Sequence, residues 1–191
     1  GDEVRYDNQP VQSSPPVYLL LNKPKGFVAT QQGGNIKKSV QELVRTAQSE
    51  KLPQLGVMGR TVTGLLLMTN DEKLRRKLAN PKSRYNTLYQ VILEDNADAE
   101  DLEALTSGVR IEGQLHKVKS AAYILGGTKK EIGIDAVNIG PGLLKKMIQK
   151  RDLKVAAMDR VLLAGLTKKD LPRGRWRMLT PKEVQFLNMI S

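Results

Sequence analysis

The sequence predicts an α+β fold around a mostly antiparallel sheet, for three reasons. Short apolar runs of strand length alternate with amphipathic segments along the 191 residues. Turn-forming Gly, Pro, Asn and Asp residues separate neighbouring runs at spacings that are typical of hairpins. Hydrophobic residues make up 40% of the chain, which is enough to build a core. The pattern shows no internal repeat, and it does not define the order of the strands.

Each predicted strand is a short apolar or alternating run that ends at turn residues. The first, at residues 17–21, is continuously apolar, and the turn at residues 22–26 closes it. The later strands follow the same rule. We predict strands at residues 17–21, 27–30, 65–68, 89–93, 109–112, 118–125, 131–137, 155–163 and 176–179.

Each predicted helix is marked by a residue that caps, opens or stops it. Ser39 and Glu42 form a capping box, Asp71 caps the next helix, and Gly108 ends the third. Pro181 opens the last helix, because proline suits a first helical turn. We predict helices at residues 39–48, 72–78, 98–107 and 143–151, and one beginning at Pro181.

The composition excludes several classes of site. The chain has no cysteine, which removes disulfides, thiolate nucleophiles and zinc sites built on sulfur. Its single histidine, His116, excludes multi-histidine metal sites and is predicted to be a surface residue beside a hairpin turn. The glycine-rich residues 31–35 and 140–142 match neither a phosphate-binding loop nor a dinucleotide fingerprint, so we predict turns there. We expect neither a metal nor a cofactor.

The ends of the sequence and its hydropathy suggest a cytoplasmic protein. No stretch approaches the roughly 20 apolar residues of a membrane span, and the first residues are polar and acidic, unlike a signal peptide. Residues 1–14 have the composition of a linker, since they lead into a Ser-Ser-Pro-Pro segment. We therefore assign residues 1–14 to a linker and residues 15–191 to one domain.

The charge of the chain favours a polyanionic partner. Lys and Arg number 31 against 20 for Asp and Glu, which gives a net charge of +11 and a pI near 9.8. Each phosphate that a cation contacts releases condensed counterions, so such an excess favours nucleic acid. Only 4% of the residues are aromatic, which is too few for a platform of stacked single-stranded bases. Structured RNA, recognised through its backbone, fits better.

The most informative segment is residues 56–71, a polar, glycine-punctuated loop that leads directly into a buried strand. With its surrounding motifs, the chain resembles the bacterial ribosomal-RNA pseudouridine synthases of the RsuA/RluB family. The resemblance covers about residues 17–190 in the family's order. The matching motifs lie at residues 21–26, 64–71, 80–81, 89–91, 159–161, 165–166 and 171–180, followed by Glu183 and Leu187.

The resemblance implies a fold, a reaction and a partner. Members of the family flip a uridine out of ribosomal RNA, break its glycosidic bond, rotate the base and rejoin it through carbon. A carboxylate performs the chemistry without metal or cofactor. The resemblance implies structured ribosomal RNA as the partner, and we expect a monomer. Residues 2–7 resemble the end of a small RNA-binding domain that often precedes this catalytic domain, so we expect such a domain upstream.

The sequence departs from the family at the catalytic aspartate, which lies in a Gly-Arg-Leu-Asp motif. Aligned without gaps from Gly64, the family's Arg and Asp fall on Val57 and Gly59. Aligned on Gly59 and Arg60, three residues including the aspartate are missing before Thr61. No Asp or Glu occurs between residues 51 and 70, so no neighbour replaces it.

Other functional positions are retained. By resemblance, Tyr89 packs against the target base, and Leu144 and Lys145 occupy the apolar and basic positions of a further pocket motif. The basic residue of that motif pairs with the catalytic aspartate in the family, so Lys145 lacks its partner here. Packing in a strand explains Tyr89 equally well. The residues predicted to contact RNA are Lys23, Lys25, Arg60, Lys145, Lys146, Arg173 and Arg175.

Three functions remain open from the sequence. The first is an RNA-binding pseudoenzyme, since losing a catalytic carboxylate costs on the order of 10⁴-fold or more in rate. The second is an active synthase that uses a displaced acid, Asp135 or Asp159, or one whose mobile catalytic loop is missing from the sequence. The third is a non-enzymatic module that binds ribosomal RNA or assists ribosome assembly.

Overall fold

The computed structural model of the chain describes residues 15–31, 36–48 and 50–190. The linker predicted at residues 1–14 and most of the turn predicted at residues 31–35 lie outside these ranges. The strands are β1 Tyr18–Lys23, β2 Val62–Thr69, β3 Asn86–Leu93, β4 Val109–Ile111, β5 Gln114–His116, β6 Ser120–Tyr123, β7 Glu131–Val137, β8 Val155–Leu163, β9 Leu166–Thr167 and β10 Trp176–Met178. The helices are α1 Val40–Leu43, α2 Glu72–Ala79, α3 Ala99–Ser107, α4 Pro141–Gln149 and α5 Pro181–Met189.

Eight of the strands form one mixed sheet. Its order is β10-β1-β2-β8-β3-β7-β6, with β9 paired to β8, and β4 and β5 form a separate hairpin. Every pairing between these strands is antiparallel except that of β2 with β8, which aligns Val62 with Met158 and Gly64 with Arg160. The predicted α+β class and the mostly antiparallel sheet are therefore confirmed.

Helices cover both faces of the sheet. Side chains alternate along a strand, so neighbouring residues of β1 and β2 enter different cores. The first core also receives α1, α3 and α4 and contains, among others, Leu19, Leu21, Leu66, Met68, Tyr89, Ile134 and Leu144. The second core also receives α2 and α5 and contains, among others, Leu20, Leu65, Leu67, Leu78, Leu163 and Leu187. The central strands are thus buried on two sides, which explains their continuously apolar sequences.

Local capping patterns form as the sequence predicts. The predicted capping box of Ser39 with Glu42 is present, and the described residues contain two more that were not predicted, Asp98 with Asp101 and Thr180 with Glu183. The Asp71 carboxylate accepts a hydrogen bond from the Leu74 N–H at 3.1 Å and another from the Tyr18 hydroxyl at 2.5 Å. The second bond ties the start of α2 to β1.

Three local predictions are wrong. Residues 27–30 form no strand, because only Val28 and Ala29 pair there, each in an isolated bridge, with Ser39 and Met58. The helix predicted at residues 39–48 is only α1, because the chain then tightens into a turn in which the Ala47 N–H donates to the Val44 carbonyl at 2.9 Å. Residues 140–142 are not a turn. Gly140 is the N-cap of α4 and Pro141 its first residue, since the fixed φ of proline favours a helical start.

Candidate functional site

The motif segment, residues 56–61, lies against the chain that follows β1. The backbones of Ala29 and Met58 exchange two hydrogen bonds of 2.9 Å, and the Gly26 N–H donates to the Arg60 carbonyl at 2.8 Å. Val57, Gly59 and Thr61 are exposed, whereas Met58 is fully buried. Buried Met58 and the paired backbone therefore anchor a segment whose other side chains face solvent.

The Arg60 guanidinium connects this segment to two other stretches of chain. It donates to the carbonyl oxygens of Gly26 at 3.1 Å, Lys37 at 3.1 Å and Lys38 at 3.4 Å. The part of the chain that the structure describes offers Arg60 no carboxylate. Carbonyl oxygens satisfy its N–H donors but carry no net charge, so the guanidinium keeps its full positive charge.

Lys23 stands beneath this arrangement and is fully buried. Its ammonium donates to the Val62 carbonyl at 2.5 Å and to the Pro24 carbonyl at 3.0 Å. Burial, together with the nearby charges of Arg173 and Arg60, lowers the pKa of Lys23 to about 8. The site around the motif segment is therefore strongly electropositive.

Asp159 is the carboxylate of a polar cluster between β2, β8 and residues 168–173. It accepts hydrogen bonds from Lys168 at 2.8 Å, Arg173 at 3.0 Å and Thr63 at 3.0 Å. Burial alone would raise the pKa of Asp159, but the hydrogen bonds from Arg173, Lys168 and Thr63 outweigh it and hold the pKa below its usual value. Arg173 also donates to the Asn22 side chain at 2.6 Å.

The predicted base-pocket residues lie in the first core, which also contains Met58 of the motif segment. Tyr89 and Leu144 are both fully buried there, and the Tyr89 hydroxyl donates to the Ile139 carbonyl at 2.6 Å. Burial raises the pKa of Tyr89. Its side chain is packed against the protein as described, and a role in contacting a base stays a prediction.

The predicted RNA-contacting cations are divided between these regions. Lys25, Arg173 and Arg175 are exposed near the motif segment or the Asp159 cluster, whereas Lys145 and Lys146 lie on α4. Lys146 forms an ion pair with Glu112 at 3.3 Å, and Lys145 has no hydrogen bond or ion pair with another described residue. Among the described residues, no hydrogen bond joins α4 to the motif segment.

Three contributors were not predicted from the sequence. Arg160 is buried, donates to the Leu65 carbonyl at 2.8 Å and lies beside Tyr89. Asn22 and Lys168 complete the Asp159 cluster. The Asp-Arg pair at residues 159–160 was the available signal, but its partners lie far away in the sequence.

Within residues 15–31, 36–48 and 50–190, no three His, Cys, Asp or Glu side chains gather as a metal site would require. None of the helices described is both long and apolar enough to cross a membrane.

The fold and these motifs define an RNA-modifying enzyme family. The profile of the family described as RNA pseudouridylate synthase matches residues 17–140, and the chain belongs to this family. It is 28% identical over 194 residues to ribosomal large subunit pseudouridine synthase B of Bacillus subtilis, covering 100% of this chain and 79% of that protein. It is 26% identical over 185 residues to ribosomal small subunit pseudouridine synthase A of Escherichia coli, covering 95% of this chain and 79% of that protein.

Solved structures show the same fold. The crystal structure of a pseudouridylate synthase superimposes with a TM-score of 0.75 at 24% identity, covering 91% of this chain and 74% of that one. The resemblance to bacterial ribosomal-RNA pseudouridine synthases that the motifs predict is thereby confirmed.

Proposed function

We propose that this protein binds structured ribosomal RNA with a pseudouridine synthase fold whose isomerase activity is impaired. The family reaction is the isomerisation of uridine to pseudouridine in RNA, and the full-length relatives act on ribosomal RNA by name. One observation carries the proposed impairment. Residues 51–70 contain the motif segment and the following strand but no carboxylate.

The two acids that might replace the motif aspartate face away from the predicted base pocket. Cross-strand partners project to the same face of a sheet, and successive residues project to opposite faces. Tyr89 pairs with Ile134 and Arg160, whereas Asp135 pairs with Leu88 and Asp159 pairs with Gln90. Both aspartates therefore project from the face opposite Tyr89.

The Asp159 carboxylate already accepts hydrogen bonds from three side chains. Lys168, Arg173 and Thr63 surround its two oxygens and keep it ionised, and its depressed pKa opposes general-acid chemistry near neutral pH. A nucleophile or acid must reach the sugar or base, and a carboxylate held by three donors is poorly free to move. The geometry supports a structural role for Asp159.

The charge distribution supports the RNA-binding part of the proposal. A net charge of +11 favours binding to a phosphate backbone. So does Arg60, whose hydrogen-bond acceptors among the described residues are carbonyl oxygens and not carboxylates. The low aromatic content of the sequence, 4%, suits folded RNA more than extended single strands.

The decisive experiment maps pseudouridines in ribosomal RNA. Ribosomal RNA from a strain that lacks the protein is incubated with purified wild-type protein and sequenced by a pseudouridine-specific chemical method. We expect RNA binding in a filter assay but no new pseudouridine. A new, protein-dependent pseudouridine would show that the enzyme is active and that the proposed impairment is wrong.

A restored variant provides the complementary arm. Inserting Leu-Asp-Arg directly after Arg60 rebuilds the family motif, and Leu-Asn-Arg inserted at the same place is its matched control. If the rest of the pocket is competent, the aspartate insertion gains activity while the asparagine insertion stays inactive. RNA binding by wild type that shows no preference for folded rRNA over arbitrary RNA would instead favour the non-enzymatic alternative.

A further inference from the structure

Around the motif segment, several cations have no ion-pair partner among the described residues. Residues 23–41 contain four lysines and no Asp or Glu, and residues 51–70 contain Lys51 and Arg60 and again no acid. The structure brings parts of the two stretches together through the Gly26–Arg60 and Ala29–Met58 backbone hydrogen bonds. We call Lys23, Lys25, Lys37, Lys38 and Arg60 the motif cations.

Arg60 and Lys23 hold fixed positions in this group. Three carbonyl oxygens orient the Arg60 guanidinium, and two orient the buried Lys23 ammonium. Burial, followed by the charges of Arg173 and Arg60, lowers the pKa of Lys23. By contrast, the neighbouring Arg173 is neutralised by Asp159 at 3.0 Å. Arg60 and Lys23 are therefore preorganised, and the exposed Lys25, Lys37 and Lys38 add positive charge beside them.

Bare backbone lies beside the motif cations. A Cβ atom built on Gly26, Gly56 or Gly59 would meet no heavy atom within 4 Å, so the space over these residues is open. Lys38 is also partly ordered, because its ammonium lies 5.8 Å from the centre of the Phe27 ring. A ligand can thus approach the backbone closely while flanked by fixed and ordered cations.

We propose that the motif segment has become a phosphate-binding site, which holds a phosphodiester of the RNA backbone at the place where the family motif carries its aspartate. Phosphate suits this site because Arg and Lys donate to its oxygens and its charge offsets theirs. A carboxylate at this place would repel the same phosphate. The inference rests on the proposed RNA-binding function and adds where one phosphate binds.

Position 59 allows a direct test, because one alignment register places the family's aspartate there. Gly59 is exposed, its φ is not positive and its surroundings are open, so Gly59→Asp and Gly59→Asn both fit without strain. Asn96→Asp makes the same change in net charge at an exposed position in the acidic residues 94–101. Circular dichroism and thermal melting check that all three variants fold like wild type.

Binding is measured to unmodified transcripts of the small- and large-subunit ribosomal RNAs over a series of salt concentrations. We expect Gly59→Asp to weaken binding about 5- to 20-fold at 0.1 M salt and to reduce the slope of log K against log salt by about one. We expect Gly59→Asn and Asn96→Asp to bind within about twofold of wild type. Equal affinity of the aspartate and asparagine variants at position 59 overturns the inference while leaving RNA binding intact.

A second arm uses inorganic phosphate and needs no RNA. Phosphate is titrated into wild-type protein while the backbone amides of Gly26, Gly59 and Arg60 are followed by NMR. Saturable shifts that Gly59→Asp abolishes support the anion site, and the RNA arm then decides whether its source is RNA or free phosphate. If wild type binds no ribosomal RNA, the proposed function fails. If phosphate also causes no saturable shift, the anion site fails as well.

Discussion

At position 64 two features of the surroundings require glycine. Its φ is +111°, a conformation that L side chains rarely adopt. A Cβ atom there would also lie 2.2 Å from the Arg160 carbonyl oxygen and 2.5 Å from the Arg160 nitrogen. These contacts arise where β2 and β8 pair in parallel, so Gly64 permits the close approach of the two strands on which the sheet depends.

Gly64→Ala should lower the free energy of unfolding by about 3 kcal/mol or more, because both the backbone strain and the overlap oppose the native state. Urea denaturation measures this loss. Gly59→Ala is the matched control, since its site is open and its φ is not positive, and it should change stability by less than about 0.5 kcal/mol. Equal effects of the two substitutions would contradict the packing argument.

Single residues were predictable where their role is local. The caps Ser39 and Asp71 act within three residues of themselves, and such spacings are visible in any sequence. The partners of Asp159 and Arg60 come from distant parts of the chain, so no spacing rule reveals them. For the same reason, the sequence showed that residues 51–70 contain no acid, but it did not show which residues surround the motif segment.

Among the secondary-structure elements, β10 and α5 are coupled by an ion pair. The Arg177 guanidinium donates two hydrogen bonds of 2.8 Å to the two oxygens of Glu183, which is also part of the α5 capping box. The hydrogen bonds from Arg177, followed by the backbone N–H of Thr180, lower the pKa of Glu183 to about 2. Burial opposes this shift but is the weaker effect. The ionised carboxylate therefore stabilises the folded chain.

This coupling should make stability depend on pH at low pH. A carboxyl whose pKa is depressed in the folded state contributes stability above its unfolded value, near 4.5, and loses it as pH falls towards 2. Because both side chains are partly exposed, we expect a contribution of about 1 kcal/mol. Glu183→Gln should lose that amount at pH 7 and converge with wild type near pH 2 in chemical denaturation. A constant difference across this range would contradict the assignment.

Elements with strong periodicity were predicted well, and their ends less well. The strand predicted at residues 65–68 extends back to Val62, because its glycine lowered the apparent strand preference where tertiary packing required one. The first helix is shorter than predicted and the fourth begins earlier. The turn that ends the first helix and the proline that opens the fourth are local features, whereas the pairing of β2 with β8 joins distant parts of the chain.

For the whole molecule, charge is unevenly distributed. Residues 94–103 contain six acids, whereas α4 carries Lys145 and Lys146 and the motif cations have no acidic neighbour in sequence. The net charge of +11 therefore understates how positive the basic regions are. RNA is expected to bind these basic regions and to avoid the acidic segment.

Replacing Lys145 and Lys146 together by alanine should weaken ribosomal-RNA binding and reduce the slope of log K against log salt by up to about two. Lys129→Ala with Lys130→Ala is the matched control. It removes the same charge from a turn beside the acidic segment. There the Lys130 carbonyl accepts a hydrogen bond from the Leu93 N–H, and the Lys129 carbonyl accepts one from the Ala97 N–H. An unchanged slope for the α4 variant would place the RNA surface elsewhere.

The architecture as a whole was predictable to the level of class and family, because seven matching motifs extend along almost the full sequence. The order of the strands was not, since it depends on pairings between β8 and the two strands β2 and β3, which lie far from it in sequence. The candidate site was likewise predictable only in part. Its motif was visible, but the packing of Met58 into the same core as Tyr89 and Leu144 was not.

The parallel β2–β8 pairing also has a consequence for synthesis on the ribosome. β1 and β2 emerge early from the ribosome. However, β2 gains its second neighbouring strand only when residues 158–160 are made, and β1 gains its second neighbouring strand only when β10 is made. Until then the nascent chain exposes two apolar strand edges, a state prone to association with other chains. The native sheet therefore depends on contacts between distant parts of the chain and closes only when its last strands are made.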